Sequence, residues 1–334
     1  MKGKVFIVWL AICLFFSATS VWAWGNSGEK TYKLRFGHVL SPEDEFNSGM
    51  ERWAEAVKEK TNGRLDIEIY PSSQLGLEED VLEQLKQGTS VGWQTDPARL
   101  GSYVKEWSIF YAPFFLSNLD EVKKLIDSKV VHSWVDKLEK EHNIKVISYA
   151  WVQGYRNVFA NKPAHSPKEM DGLLIRTASA PMWVATVNSL GCKAVALPYG
   201  DIYNGIQTKL VDGCELPYAA AKASKIDEVT KYIIETRHIF QANAMVVSSE
   251  WYNSLPEDLQ KILVDECNKA GLASSQKLIS KSDSVKQEMI SQGITVIPHE
   301  ELDMAAFTES GMKVYGEMGL GEVRDAIFKE MGKN

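Results

Sequence analysis

Residues 65–88 read LDIEIYPSSQLGLEEDVLEQLKQG, and two incompatible periodicities meet inside them. Leu65, Ile67 and Ile69 alternate with polar residues, the period of a half-buried strand. Pro71 and Gly76 punctuate a turn, and Val81, Leu82 and Leu85 then recur at helical spacing until Gly88 closes the segment. A strand followed at once by a helix is half of a βαβ unit. The pattern repeats outward in both directions. Upstream, Leu34–Gly37 reads as a short strand, and Ser41-Pro42-Glu43-Asp44 opens a helix with a cap, a proline and early acids. Phe46, Met50, Trp53, Ala54 and Val57 mark the inner face of that helix, and Gly63 ends it. Downstream, 146–150, 173–176, 194–197 and 244–248 read as strands with helices between them. The class is α/β.

The segment 255–292 departs from this rhythm. Pro256, Glu257 and Asp258 open it, and no further proline follows until Pro298. Its apolar residues (Leu259, Ile262, Leu263, Leu272, Leu278, Val285, Met289) are thinly spread. One long helix or two in series broken near Gly271 fit the pattern equally well, as does an ordinary surface helix with an extension.

The first residues predict export. Lys2 and Lys4 precede an apolar stretch from Val5 to Phe16, then Val21-Trp22-Ala23, a secretory signal with a cut after Ala23. The apolar core falls short of the roughly 20 residues of a membrane span, and Cys13 lies inside it without the small residue that a lipid attachment site carries before its cysteine. Removing the signal takes the formal net charge from −7 to −9. An acidic chain without a basic stripe excludes nucleic acid, whose binding is driven by neutralising phosphates. Cys192, Cys214 and Cys267 remain after cleavage, an odd count that leaves at least one free thiol. Cys192 and Cys214 can pair only if their segments are neighbours.

Motifs for catalysis are missing. The chain has no Gly-x-Ser-x-Gly elbow, no phosphate loop and no dinucleotide fingerprint after an early strand. Its six histidines show no metal-ligand spacing, and no carboxylate pair stands out. No cofactor and no metal is expected.

The run GYRNVFANKPAHSPKEMDGLLIRT, residues 154–177, is more informative. Arg176 ends an apolar strand, so its guanidinium is delivered toward the interior, where an anion has to meet it. A planar fork of donors fits a carboxylate in two parallel hydrogen bonds and does not lose its proton. Arg156 sits in the same run. A structural salt bridge to an internal Asp or Glu accounts for such arginines as well.

Over nearly all of the mature chain, six blocks stand in a telling order: FGHVLSPEDEF, TNGRLDIEIYPSSQLG, LEQLKQGTSVG, APFFLSN, KEMDGLLIRT and KLVDGCELP. In these the chain resembles the solute-binding proteins of TRAP (tripartite ATP-independent periplasmic) transporters. The resemblance implies a periplasmic, non-enzymatic receptor with two α/β lobes joined by a hinge, spanned by a long helix, closing on an organic acid. It implies lobe I over 31–153 and 243–281, and lobe II over 154–242 and 282–334 with the C-terminal helices. It further implies delivery to a membrane permease by a monomer. An exported enzyme acting on a small acid, or a ligand sensor, would use the same arginine clamp.

Position by position, Arg176 resembles the family's carboxylate-binding arginine, and Arg156 a second that supports it. Arg99, Asp96 and Glu78 match pocket positions of the first lobe, and Tyr199 and Asp201 match the rim. Leu216 stands where several members carry an asparagine that also grips the carboxylate, which puts more weight on the two arginines. Trp93, Trp151 and Trp183, with Tyr218 and Leu216, then suggest a drier cleft and a monocarboxylate with a bulky or aromatic body. His38 and Asp96 are candidates for bonding a keto or hydroxyl group beside the carboxylate. In some relatives the surroundings of the Glu215 position help hold a cation, but one carboxylate is not a site.

Overall fold

The structure, a computed structural model, describes residues 30–333; the export signal expected over 1–23 lies outside the described residues. No helix among the described residues is long and apolar enough to cross a membrane.

Nine strands form one mixed sheet: β1 (Tyr32–Gly37), β2 (Leu65–Tyr70), β3 (Val91–Thr95), β4 (Ile144–Ala160), β5 (Leu174–Thr177), β6 (Lys193–Ala196), β7 (Gly213–Pro217), β8 (Tyr232–Ser248) and β9 (Thr295–Ile297). Their order is β2-β1-β3-β8-β4-β7-β5-β6, with β9 beside β8. β1 pairs in parallel with β2 and β3, the signature of βαβ crossovers, and β5 pairs in parallel with β6 and β7. Two antiparallel strands of 17 residues each, β4 and β8, join these two α/β halves. β3 attaches to β8 at Ala244–Val247, and β7 attaches to β4 at Arg156–Ala160. Between these attachments the two long strands run as a ribbon, and its ladder slips register at Val146/Ser148, Ser148/Trp151, Val152/Gly154 and Arg156/Val158. Bulges bend and twist a strand, and Gly154 at φ +87° supplies the backbone freedom for one of them. The fold is the expected two-lobed α/β architecture, but the sequence reading located only the outer end of each long strand. Gln153, Arg156, Gln241 and Asn243, which interrupt the apolar run in WVQGYRN and ETRHIFQAN, line the cleft.

The 255–292 segment is one helix, Glu257–Ser291, 35 residues and about 52 Å long at 1.5 Å per residue. Gly271 does not break it. A Cβ there would fall 2.7 Å from Trp151 Nε1, so glycine lets the helix lie against β4. Ser275 fastens the same turn, its hydroxyl donating to Ala150 O at 3.0 Å and accepting from Val152 N at 2.7 Å. Toward its N-terminus Leu259, Leu263 and Cys267 join the apolar cluster of the first half with Phe36 and Trp53, whereas Met289 packs with Phe159 and Ile206 of the second.

The chain's end departs from a purely second-lobe assignment for 282–334. Helix Met304–Glu317 packs on helix Pro181–Ser189, but helix Gly321–Met331 returns to helix Leu119–Ile126. There Phe328 stacks on Phe115 at 5.5 Å, and Lys333 lies 2.7 Å from Glu121. Cys192, Cys214 and Cys267 are all buried and free, so the possible Cys192–Cys214 bridge is not formed.

Candidate functional site

A cavity of about 430 Å³ opens where the two halves face each other across the β4–β8 ribbon. Its second-half wall begins with Arg176. The residues after Ile175 turn β5 toward the cleft, and Arg176 is only 3% exposed there. Its Nε and Nη2 both donate to Leu197 O, at 2.9 and 2.7 Å, and its guanidinium lies 5.9 Å from the Tyr199 ring. Among the described residues no carboxylate forms an ion pair with it. Burial draws its pKa down to about 10, with the nearby Glu215 opposing, so it stays cationic at neutral pH. A buried cation held only by one carbonyl is under-compensated.

Arg156 is arranged in the opposite way. From β4 its Nε pairs with Glu215 Oε2, Nη2 donates to the Glu215 carbonyl, and Nη1 reaches Gln241 Oε1 at 2.5 Å. The Trp183 ring lies 4.5 Å from its guanidinium carbon. Glu215 is fully buried and also accepts from Thr177 Oγ1 at 2.9 Å, with His238 Nε2 at 3.5 Å. Burial alone would push that carboxyl up, but Arg156 and then His238 bring it down to about 2. The second arginine is thus the structural salt bridge the sequence left open. One hydrogen remains on each Nη nitrogen for anything in the cavity. Glu215 is its counter-ion, and no cluster of three or more potential metal ligands occurs among the described residues.

The first-half wall is acidic. Asp96 caps the short helix Pro97–Leu100, accepting from Arg99 N at 3.0 Å, and its other oxygen pairs closely with Arg99 Nη1. Glu78 Oε2 stands 3.4 Å from the same nitrogen, and Glu79 Oε1 takes Nε at 3.1 Å. Three carboxylates therefore surround one guanidinium. Burial raises Glu78 to about 7, with Asp96 and Glu79 adding to the rise and Arg99 opposing it. Gln94 lines the same wall, and its buried Oε1 has no donor. Two bonds tie this wall to the other half: Trp183 Nε1 to Asp96 Oδ1 at 3.0 Å, and Ser179 Oγ to Glu79 Oε1 at 2.8 Å. The halves are closed on one another.

The structure gathers Arg176, Arg156, Arg99, Asp96, Glu78, Trp183, Tyr199 and Leu216 around the cavity. It places four others elsewhere. Trp93 is core, its ring filling the space a Cβ at Gly37 would need, and Trp151 packs edge-on against Phe46 at 5.2 Å. Tyr218 donates to Glu235 at 2.6 Å and packs with the second-half apolar cluster, outside the cavity lining. His38 is buried against Asn47, and burial lowers it to about 4. The cleft expected to hold three tryptophans holds one of them, since Trp93 and Trp151, both within strands, pack against helices rather than the cavity. Three residues that the sequence reading passed over take part instead. Gln241 Nε2 donates to Asn243 Oδ1 at 3.1 Å, and Asn243 Nδ2 reaches Gln153 Oε1 at 3.3 Å, a chain of amides ending on Arg156. The readable signal was a pair of amides at alternate positions of one strand, Gln241 and Asn243, across from Gln153.

Comparison with known proteins agrees with this geometry. The model of the bacterial extracellular solute-binding protein family 7 matches residues 36–321. The 2,3-diketo-L-gulonate-binding periplasmic protein of Escherichia coli is 25% identical over 311 residues, 92% of this chain and 91% of its own. A TRAP periplasmic solute binding protein from Escherichia fergusonii, solved apo and open, is 31% identical with a TM-score of 0.78, covering 89% of this chain and 99% of its own. Another, from Ochrobacterium anthropi with bound L-fuconate, is 25% identical with a TM-score of 0.85, covering 90% and 99%.

Proposed function

Because this chain belongs to the bacterial extracellular solute-binding proteins of family 7, we propose that it is a periplasmic receptor, not an enzyme, that captures an organic monocarboxylate for a TRAP permease. Arg176 carries the reading: it is a buried guanidinium on the cavity wall with no carboxylate of its own. Arg156 is neutralised by Glu215 and Arg99 by its three acids, so the cavity has room for one anionic group rather than two. The remaining walls offer amides, acids and a single indole, which suits a bulky body carrying hydroxyl groups better than an aromatic one. L-Fuconate and L-galactonate, bound in structural neighbours, are acids of that kind. The volume of about 430 Å³ lies in the range of small-molecule sites. Capture would work by differential affinity, the ligand stabilising the closed arrangement over the open one.

Mass spectrometry of the purified protein under native conditions tests this. An intact hydroxylated monocarboxylate should ride along, and thermal shifts should be larger for sugar acids than for succinate or malate. Larger shifts for the dicarboxylates would sink the single-anion reading, and turnover of the bound acid would make the protein an enzyme.

A further inference from the structure

Glu78 and Asp96 meet on one nitrogen, Arg99 Nη1, Asp96 in the close pair and Glu78 at 3.4 Å. Counting the buried groups alone, this wall carries two carboxylates and one guanidinium. A monocarboxylate on Arg176 balances the other wall, where Arg156 already has Glu215. The loaded, closed cavity would then keep one negative charge in excess, and a dry cavity does not hold an uncompensated charge. Either a proton or a cation on the ligand has to join it. A ligand ammonium approaching Glu78 Oε2 would crowd the Arg99 guanidinium that already stands between the acids. A proton meets no such obstacle. Glu78 Oε1 is engaged by the Thr95 hydroxyl at 2.5 Å, whereas Oε2 has only the longer contact to Arg99 and is the oxygen free to carry hydrogen.

We infer that Glu78 is protonated in the closed, loaded protein and donates its hydrogen to a hydroxyl or carbonyl oxygen of the ligand body, so that capture takes up one proton from solvent. The inference rests on the proposed reading of Arg176 as the carboxylate anchor. The neighbouring Gln94 Oε1, buried and without a donor, is a matching acceptor for a ligand hydroxyl. The groups facing Glu78 are Thr95 and Asp96 at the end of β3, Arg99 beyond them, Glu79 on its own helix and the Tyr103 hydroxyl, which feels both glutamates. Burial first, with Asp96 and Glu79 adding to it and Arg99 and Thr95 opposing it, raises Glu78 from 4.5 to about 7 in the closed protein. Opening of the cleft readmits water and releases the proton.

Calorimetric titration with L-galactonate across this pH range tests the inference. Affinity should weaken by up to tenfold per pH unit between about pH 5 and pH 7 and then level off, as one-proton linkage requires. Heats in buffers of different ionisation enthalpy should report uptake approaching one proton. Glu78→Gln, which fixes the neutral form, should flatten the profile and bind as well at the alkaline end as at the acid end. A flat wild-type profile, or a tighter fit for the ω-amino acid 6-aminohexanoate than for galactonate, overturns the proposal. Thermal unfolding at saturating galactonate, which holds the protein closed, provides a second arm. An acid whose pKa is raised on folding destabilises the folded state as pH climbs from 4.5 to about 7, so Glu78→Gln should gain on the wild type over that range; a loss at high pH, or no change, refutes protonation. Arg176→Ala is the separate control: if it binds galactonate like the parent, the anchor reading fails whatever Glu78 does.

Discussion

The two walls of the cavity use the same residue types to opposite ends. On one, Arg99 is enclosed by three carboxylates; on the other, Arg176 leans on a carbonyl oxygen and has none. Arg156 lies between these extremes with a single buried counter-ion. An arginine in a cleft is therefore uninformative until its acids are counted. The wall with too few acids offers a place for an anion, and the wall with too many offers acceptors for hydroxyls.

That contrast breaks most easily at Arg176. Arg176→Ala should weaken binding of the co-purifying acid by roughly two to four orders of magnitude, since stripping one partner from a buried ion pair costs about 3–5 kcal/mol. Arg176→Lys should lose most of that too, because an ammonium cannot reproduce the fork; near-parental binding by the lysine variant would end the clamp assignment. Glu215→Gln tests the one-partner arginine. It should lower stability to denaturant by about 3–5 kcal/mol, with little loss if Arg156 were balanced from elsewhere. In the wild type this pair's contribution is complete above about pH 4.5 and fades as the pH falls toward 2, because the folded carboxyl holds its proton more weakly than the unfolded one.

Smaller effects should come from the bonds between the walls. Trp183→Phe keeps a ring beneath Arg156 but removes the donor to Asp96, a loss of about 1 kcal/mol. It should appear in stopped-flow as ligand release faster by roughly fivefold. Glu79→Gln should change stability least, by under about 1 kcal/mol, because its carboxylate is 56% exposed and Arg99 retains two buried acids. A Glu79 effect as large as that of Glu215 would mean the three-acid cluster is no more redundant than the single pair.

The sequence made the α/β alternation legible because each βα unit is local: the strand period at Leu65, Ile67 and Ile69 and the helix period at Val81, Leu82 and Leu85 lie within one stretch. Arg176 was legible for the same reason, at the end of its own apolar strand. The ribbon was not, since Gln153, Gln241 and Asn243 put polar side chains into what would otherwise read as strands, and only the pairing of β4 with β8 explains them. Nor could spacing distinguish Trp183, which meets Asp96 from across the cleft, from Trp93 and Trp151, which face helices. Most partners of these arginines are also non-local: Glu215 is 59 residues from Arg156 and Glu79 is 20 from Arg99, and only Asp96, three residues before Arg99, is close in sequence. Which acid neutralises which arginine is settled by the packing within each half.

The last helix has a mechanical consequence. The halves are already linked by β4, β8 and the long helix, and the return of Gly321–Met331 to helix Leu119–Ile126 adds a further tie well away from the ribbon. A joint tied at separated points cannot swivel freely; it keeps essentially one degree of freedom, a swing about the ribbon. A swing so restricted should return Asp96 to Trp183 and Glu79 to Ser179 in the register of the closed halves, like a door on two hinges meeting its frame. Cutting the tie at Gly319 should therefore blur selectivity between similar acids before it abolishes binding.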